Sequence, residues 1–393
     1  MIDPGPQVVE GPGATAVLDG GSFLGRPVGL GNLATDDDQG LLVLGGAGLA
    51  QSVTPDGRRA PITHFANNDF WCDDVSDGPV AADVTLDTGE VVHARPAWVV
   101  VGPPDFAPPV FNFVTLYDVA FQAAVDRGWL TVPARPSFTR HVRPILSRAV
   151  GYSWVTRFGR DGHGLGGPGQ FDARWAELAD PARDPFIRER IVNRLRDPNG
   201  PPPASMPGTA MPRLHDETNS SLVLPLTRAQ HAMLQSWAAG SFESDLDAPQ
   251  PDEPLPDAVT RAALETCSGG AFFPGIEVGG VVRSASAYSE PFRLDPAALA
   301  PGGLTAGNAV PWHADFSACE FEDQAAIGWW PSQRPDEVFL DETLEKLREW
   351  ADGANTADEM IDHWHELGFV LPRTLPGGRE ILVEQQRLLP RPS

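Results

Sequence analysis

Proline and glycine set the strongest limit on what this chain can fold into. The 393 residues include 40 Pro and 40 Gly, about a fifth of the total. Proline removes a backbone donor and glycine costs conformational entropy, so both interrupt helices and strands. The composition therefore favours short elements joined by structured loops over helical repeats. The length predicts two or three domains.

The charge limits the partners that we expect. The formal net charge is −24, and phosphate binding needs a basic face, so we expect no nucleic-acid partner and no binding to an anionic membrane. No apolar run is long enough to predict a transmembrane helix. The first residues, 1–13, have neither the basic nor the apolar segment of a secretory signal. We expect a cytoplasmic protein, with export without a visible signal as the alternative.

The first part of the chain is typical of β-structure. Short apolar or alternating runs occupy residues 41–46, 81–94 and 97–104, and each ends near Gly, Asp or Pro. Asp87-Thr88-Gly89, within the second run, predicts a hairpin turn. We therefore predict a β-sandwich-like domain over residues 1–114.

From Thr115 onward the apolar period becomes helical. The spacing predicts helices over 115–129 and 227–240, and a Pro-rich crossing at 197–212 ends a helical and loop region that begins at 115. A mainly helical, loop-rich region would follow over 213–393, which makes the fold class α+β. Near its end we predict two more helices, one over 341–352 and one that opens with the capping box of Thr356 and Glu359.

The residue types that carry chemistry concentrate between residues 257 and 335. A short helix over 257–267 would end at Cys267, one of three cysteines in the chain. Three cysteines do not make a disulfide framework, so one disulfide plus one thiol and one modified cysteine are both open. The second half of the stretch supplies Trp312, His313, Asp315, Cys319, Trp329 and Trp330.

Two features suggest metal binding. Residues 67–77 hold six Asn and Asp side chains, which either ligate a hard cation or form Asx turns around Trp71. His313 and Asp315 are two residues apart, which would suit a metal-dependent hydrolase. Neither feature has a ligand set of recognised spacing, so we predict no metal site.

Several blocks together resemble the lysine ε-oxidase/glycine oxidase family of cysteine tryptophylquinone enzymes. The resemblance covers most of residues 20–340. The blocks are GSFLGRPVGLGNLATDDDQGLLVLGG at 21–46, NNDFWCDDVSDGPV at 67–80, AWVVVGPPDFAP at 97–108, LTRAQHAMLQSWAAGSF at 226–242, CSGGAFFPGIE at 267–277, VRSASAYSEPFRL at 282–294, VPWHADFSAC at 310–319 and WWPSQRPD at 329–336.

The resemblance implies a protein-derived quinone in the region 213–393. Trp330, directly before Pro331, would carry the quinone, and Cys267 would supply the thioether sulfur. Trp329 remains an alternative to Trp330, and Cys319 is an alternative to Cys267. A separate flavoprotein would mature the cofactor, and homo-oligomerisation stays open.

Two departures from the family pattern bear on that implication. Family members are as a rule longer at the N-terminus. The family also has a carboxylate about one helical turn before the cysteine, where this chain has Ala263. We therefore hold open a catalytically silent relative that acts as a binding or scaffold protein.

The implied activity is oxidative deamination of the primary amine of an amino acid. Lysine 6-oxidase or glycine oxidase chemistry would consume molecular oxygen and release an aldehyde or oxo-acid, ammonia and hydrogen peroxide. A buried carboxylate would act as the base, with Asp315 as the first candidate and Glu265 as the second. His313 would position the substrate. Arg283 or Arg293 would bind a substrate carboxylate in fork geometry.

Overall fold

The computed structural model describes residues 1–38, 40–200, 210–212, 214–216, 219–224, 226–250, 252–270, 273–319 and 331–389. Trp329 and Trp330 lie outside the described residues. The strands that precede the first helix are β1 (Thr15–Val17), β2 (Ser22–Phe23), β3 (Arg26–Pro27), β4 (Gly31–Thr35), β5 (Leu41–Gly45), β6 (Ala50–Ser52), β7 (Trp71–Asp73), β8 (Ser76–Val80), β9 (Asp83–Thr85), β10 (Val91–His93) and β11 (Ala97–Val101).

Helices dominate the next part of the chain. They are α1 (Leu116–Asp126), α2 (Arg143–Gly151), α3 (Arg157–His163), α4 (Trp175–Leu178), α5 (Phe186–Val192), α6 (Arg228–Ala238), α7 (Leu255–Glu265), α8 (Gly279–Val282), α9 (Trp312–Ala318) and α10 (Ala357–His363). The later strands are β12 (Leu214–Asp216), β13 (Asn219–Leu224), β14 (Tyr288–Glu290), β15 (Arg293–Leu294), β16 (Glu337–Phe339), β17 (Leu347–Glu349), β18 (Phe369–Thr374) and β19 (Glu380–Gln385). A strand-rich first part followed by helices and loops confirms the α+β class.

The sheets are small and antiparallel. Among the described residues, β4 lies between β1 and β5, and every other sheet is a two-stranded ribbon. The predicted hairpin is confirmed, because β9 pairs with β10 and Gly89 adopts a φ of 82° in the turn between them. The extents of the three predicted domains remain a prediction.

Side-chain caps explain where several predicted helices begin. Thr115 and Asp118 form a capping box at the start of α1, and Thr227 and Gln230 form another at the start of α6. These caps satisfy backbone N–H groups that have no partner within the helix. The predicted capping box of Thr356 and Glu359 is confirmed at α10.

The helix predicted over 341–352 is wrong. Strands β16 and β17 pair there as an antiparallel hairpin. Asp341 accepts hydrogen bonds from the backbone N–H and the hydroxyl of Thr343, and Leu344 has a φ of 58°. A side chain that bonds locally to the backbone competes with helix formation, and a positive φ ends it.

A cluster of aromatic side chains packs α9 against the loop that follows β11. The ring centroid of Phe106 is 4.7 Å from that of Trp350 and 4.9 Å from that of Phe369. Phe316 in α9 packs 5.9 Å from Trp350 and 5.2 Å from Trp312. Large aromatic side chains supply much of the burial in such a cluster. The core therefore fixes α9 and the loop after β11 relative to each other.

Candidate active site

The turn after α7 holds Cys267 against the start of α1. The carbonyl oxygen of Cys267 accepts the backbone N–H of Leu116 at 2.9 Å, and Ser268 pairs with Thr115. A Cβ on Gly269 would lie 2.8 Å from a methyl of Val114, so only glycine fits this close approach. The CSGG sequence thus sets the position of the thiol.

The segment after Trp330 packs directly on the Cys267 turn. Residues 331–335 are all buried. The Gln333 side chain donates from Nε2 to the carbonyl oxygen of Thr266 at 2.8 Å, and its Oε1 accepts from Asn112 at 2.7 Å and Ser332 at 2.9 Å. A buried amide with all of these bonds made holds the two segments together.

The Cys267 thiol is half-buried and forms no disulfide; Cys72 and Cys319 are also free. Its Sγ lies 3.5 Å from the carbonyl oxygen of Ala263, one turn earlier. Burial raises the pKa of the thiol to about 12; the Thr266 hydroxyl partly opposes this, and the charge of Asp105 adds a smaller increase. The thiol is therefore protonated at neutral pH.

Asp315 lies in a different part of the site from Glu265. Cys319 donates from Sγ to Asp315 at 3.4 Å. Burial raises the pKa of Asp315, while the thiol of Cys319, the backbone of Gly275 and the charge of Arg334 lower it. Arg334 donates to the carbonyl oxygen of Phe316 at 2.6 Å near the end of α9. One short segment thus bonds through Gln333 to Thr266, next to Cys267, and through Arg334 to the last turn of α9, which carries Asp315.

Glu265, at the end of α7, lines a cleft of about 550 Å³. Its carboxylate is 3.8 Å from Arg148 and 3.9 Å from Arg261. Burial raises the pKa of Glu265, and the two arginines oppose that effect. Arg148 also pairs with Asp118 at 2.5 Å. The wall of the cleft beside the cysteine turn therefore carries both carboxylates and guanidinium groups.

His313 is fully buried in α9. Its ring stacks on Trp312 at a centroid distance of 3.6 Å, and burial lowers its pKa to about 3, partly offset by the backbone of Gly48. Neither ring nitrogen makes a hydrogen bond of good geometry with the described residues. The imidazole is therefore neutral, and its substrate-positioning role remains a prediction.

The two arginines predicted to bind a substrate carboxylate lie away from this cleft. Arg293 donates to the hydroxyl of Thr260 on α7 at 3.2 Å, and Arg283 caps α8. Neither lines the cleft. Their role remains a prediction. Arg148 and Arg261 line the cleft instead. Only the folded arrangement brings these two together, because they lie on different helices.

Residues 67–77 include β7 and the start of β8, and their carboxylates bond to the backbone of other segments. Asp73 in β7 accepts the backbone N–H of Trp312 at 2.9 Å, and Asp74 accepts that of Gly48 at 2.9 Å. Burial raises the pKa of Asp73 to about 7. Within the part of the chain that the structure describes, no three His, Cys, Asp or Glu side chains are placed to hold a metal. No helix there has the length and apolarity to span a bilayer.

Two family models match this chain. Residues 1–101 match the L-lysine epsilon oxidase N-terminal model, and residues 209–339 match the L-lysine epsilon oxidase C-terminal domain model. The chain belongs to the L-lysine epsilon-oxidase family. The resemblance stated from the sequence blocks is thereby confirmed.

Individual relatives agree with this family. The chain is 25% identical over 470 residues to L-lysine 6-oxidase of Marinomonas mediterranea, covering 88% of this chain and 62% of the relative. It therefore spans less than two thirds of the length of that curated relative. Two crystal structures of the M. mediterranea L-Lys epsilon-oxidase, one of its Schiff base intermediate with L-Lys, align with TM-scores of 0.76 and 0.75. Each is 23% identical and covers 98% of this chain and 75% of the solved one, which establishes a shared fold.

Proposed function

We propose that this protein oxidises the primary amine of an amino acid with a quinone formed from Cys267 and Trp330. The observation that carries the proposal is the Gln333 hydrogen bond to Thr266, one residue before Cys267. Trp330 lies three residues before Gln333, and three residues of chain span at most about 11 Å. An unpaired thiol, with the segment that directly follows Trp330 packed on the same turn, supports a thioether between the two residues.

When formed, the quinone would supply an electrophile for the amine and a sink for two electrons. The residues of this chain would bind the substrate, exclude water and take up protons. Residues 331–335 are buried, so water would be excluded on that side of the site. Asp315 is the first candidate for the base, because burial raises its pKa towards the range in which a carboxylate accepts protons efficiently.

Substrate binding would use the guanidinium groups near the turn. We keep Arg283 and Arg293 as candidates for a carboxylate clamp, and the cleft adds Arg148 and Arg261. Arg148 and Arg261 already pair with Asp118 and Glu253, so a substrate carboxylate would compete with those pairs. The products would be an aldehyde or oxo-acid, ammonia and hydrogen peroxide, with molecular oxygen as the acceptor.

The proposal is tested on protein co-expressed with the flavoprotein that the family resemblance implies. Glycine, lysine and other α-amino acids are supplied, and peroxide and ammonia are measured together. We expect equal amounts of both from at least one amino acid, rising with pH as the substrate amine deprotonates. A matured protein that releases neither product from any amino acid would contradict the oxidase function, and the silent relative would then be the better reading.

A further inference from the structure

The cleft beside α7 presents two guanidinium groups to one loosely held carboxylate. Three arginines and two glutamates line it, in a chain whose net charge is −24. Oε1 of Glu265 lies 3.8 Å from Nη2 of Arg148 and 3.9 Å from Nη1 of Arg261. Both distances are too long for a direct hydrogen bond. Polar room therefore remains between these three groups.

Arg148 is held from behind by α1 and the loop before it. Its side chain is only 5% exposed, and its Nη1 donates to Asp118 at 2.5 Å. The same nitrogen lies 3.5 Å from the carbonyl oxygen of Phe113. These partners occupy Nη1, and Nη2 is the nitrogen that faces Glu265. The guanidinium group keeps its positive charge even when buried, because arginine is not deprotonated in proteins.

Glu253 and Tyr117 fix Arg261 in a similar way. Nε of Arg261 lies 3.1 Å from both carboxylate oxygens of Glu253, and Nη2 donates to one of them at 3.0 Å. The guanidinium carbon lies 4.4 Å from the centroid of the Tyr117 ring. Nη1 is therefore the nitrogen left to face Glu265. Two guanidinium groups that are already fixed lose little conformational freedom when they bind a ligand.

The lining of the cleft fits a ligand that carries a carboxylate. An ammonium group placed between the two arginines would meet two like charges, whereas a carboxylate would accept a charge-assisted hydrogen bond from each of them. Pro109, Phe111 and Pro144 also line the cleft, and Phe111 is 37% exposed. A cleft of about 550 Å³ has room for a small molecule. These features together favour a small carboxylate with an apolar body.

Glu265 has to lose its charge for such a ligand to bind well, because two carboxylates at one site repel each other unless one is protonated. The charged groups that face it are Asp118 from α1, Arg148 from α2, Arg261 from α7 and Glu253 from the segment before α7. Burial raises the pKa of Glu265; the two arginines lower it, and the two acidic neighbours raise it. A neutral Glu265 would donate its O–H to the ligand and leave both guanidinium groups free to bind it.

We propose that Arg148 and Arg261 bind the carboxylate of a small molecule with an apolar body, and that Glu265 takes up a proton from solvent as the ligand binds. As a site for the amino-acid substrate, this cleft rests on the proposed function, but binding itself needs no quinone. The ligand would compete with Asp118 and Glu253 for charge and not for the nitrogen atoms that they occupy. By linkage, affinity falls as pH rises through the pKa of Glu265, by up to about tenfold per pH unit.

Calorimetric titration of the unmatured protein tests binding directly. The probe is 3-phenylpropanoate, and 3-phenylpropan-1-amine has the same apolar body with the opposite charge. We expect the acid to bind about tenfold or more tightly at pH 5.5 than at pH 7.5, with proton uptake seen as a heat that depends on the buffer. The amine should not bind. Equal binding of the two probes, or no binding of the acid at either pH, would overturn the proposal.

Two variants test the roles of the cleft residues. Glu265→Gln keeps the volume and resembles the protonated acid, so its affinity for 3-phenylpropanoate at pH 7.5 should be about tenfold above that of wild type and independent of pH. Arg261→Gln should lower the affinity about tenfold or more, since a hydrogen bond to a charged group is lost. Arg261→Lys, which keeps the charge without the planar fork, replaces it if that variant does not fold.

Arg174 provides a matched control, because it pairs with Glu177 at 2.8 Å and does not line the cleft. Arg174→Gln should bind 3-phenylpropanoate as wild type does. An affinity that still depends on pH in Glu265→Gln, or an equal loss of affinity in Arg174→Gln and Arg261→Gln, would refute the assignment of these residues.

Kinetics of the matured protein separate this site from the proposed function. If the cleft receives the substrate, Arg261→Gln should raise KM for an amino acid with an apolar side chain, such as phenylalanine, and leave kcat unchanged. Binding of 3-phenylpropanoate by a protein that releases no peroxide once matured would refute the oxidase and support the site. Peroxide release without any binding of the acid would refute the site and support the oxidase.

Discussion

Gln333 donates its side-chain N–H to the carbonyl oxygen of Thr266 across 2.8 Å. The bond joins two segments that are 67 residues apart. On one side it reaches the turn of Cys267, and on the other it leads back along the chain to Trp330. A buried amide, rather than adjacent sequence, therefore joins the two segments that the proposed site needs.

Replacement of Gln333 by leucine should destabilise the protein. The change keeps the volume but leaves the carbonyl oxygen of Thr266 and the amide of Asn112 without their present partners. Each unsatisfied buried group costs about 1–3 kcal/mol, so we expect a loss of about 3 kcal/mol. Urea unfolding measures this loss. Gln235→Leu on the exposed face of α6 should change stability by less than about 0.5 kcal/mol, and equal losses in both variants would contradict the account.

The buried Asp73 should make stability depend on pH. Its pKa is about 7 in the folded protein and about 3.9 in the unfolded chain. The folded state therefore binds more protons between these values, so stability should fall as pH rises from about 4 to 7. Asp73→Asn should remove part of this slope, on the order of 1–3 kcal/mol between pH 5 and 8. If the free energy of unfolding changed equally between pH 5 and pH 8 in wild type and in Asp73→Asn, the assignment would be contradicted.

Several helices and one hairpin could be predicted from the sequence, because the residues that define them lie close together in the chain. The capping box at Thr356, the helical period after Thr115 and the turn at Gly89 each lie within a few residues of the element they define. The helix predicted over 341–352 was wrong because the composition of this segment favours a helix, whereas the side chain of Asp341 bonds to Thr343 and forms a turn. The contact between Gln333 and Thr266 could not be predicted in this way, because the two residues are 67 positions apart and no local pattern contains both.

Two variants can show whether Asp315 or Glu265 is the base that removes the substrate proton. Burial raises the pKa of both, but only Glu265 has two arginines within 4 Å. Asp315→Asn should lower kcat by about 10²- to 10⁴-fold in matured protein if Asp315 removes the substrate proton. Glu265→Gln should change KM more than kcat, because it alters the cleft wall. Steady-state kinetics on protein of equal cofactor content distinguish the two, and the reverse pattern would assign the base to Glu265.

His313 should stay neutral across the physiological range. Burial lowers its pKa to about 3, so the ring should not titrate between pH 5 and 8 in an NMR experiment. His313→Phe retains the stacking on Trp312 and removes no hydrogen bond of good geometry, so stability should change by less than about 1 kcal/mol. A higher KM at unchanged kcat would identify contact with the substrate. Titration near pH 6 would contradict the burial described here.

A thioether between Cys267 and Trp330 would define the proposed cofactor. The most direct measurement is mass spectrometry of a tryptic digest after co-expression with the flavoprotein, together with visible absorbance and a quinone stain. We predict one cross-linked species that joins the two peptides, with colour that is lost in Cys267→Ala and retained in Cys72→Ala. Recovery of both peptides free and unmodified from wild-type protein, with no visible absorbance, would contradict the account.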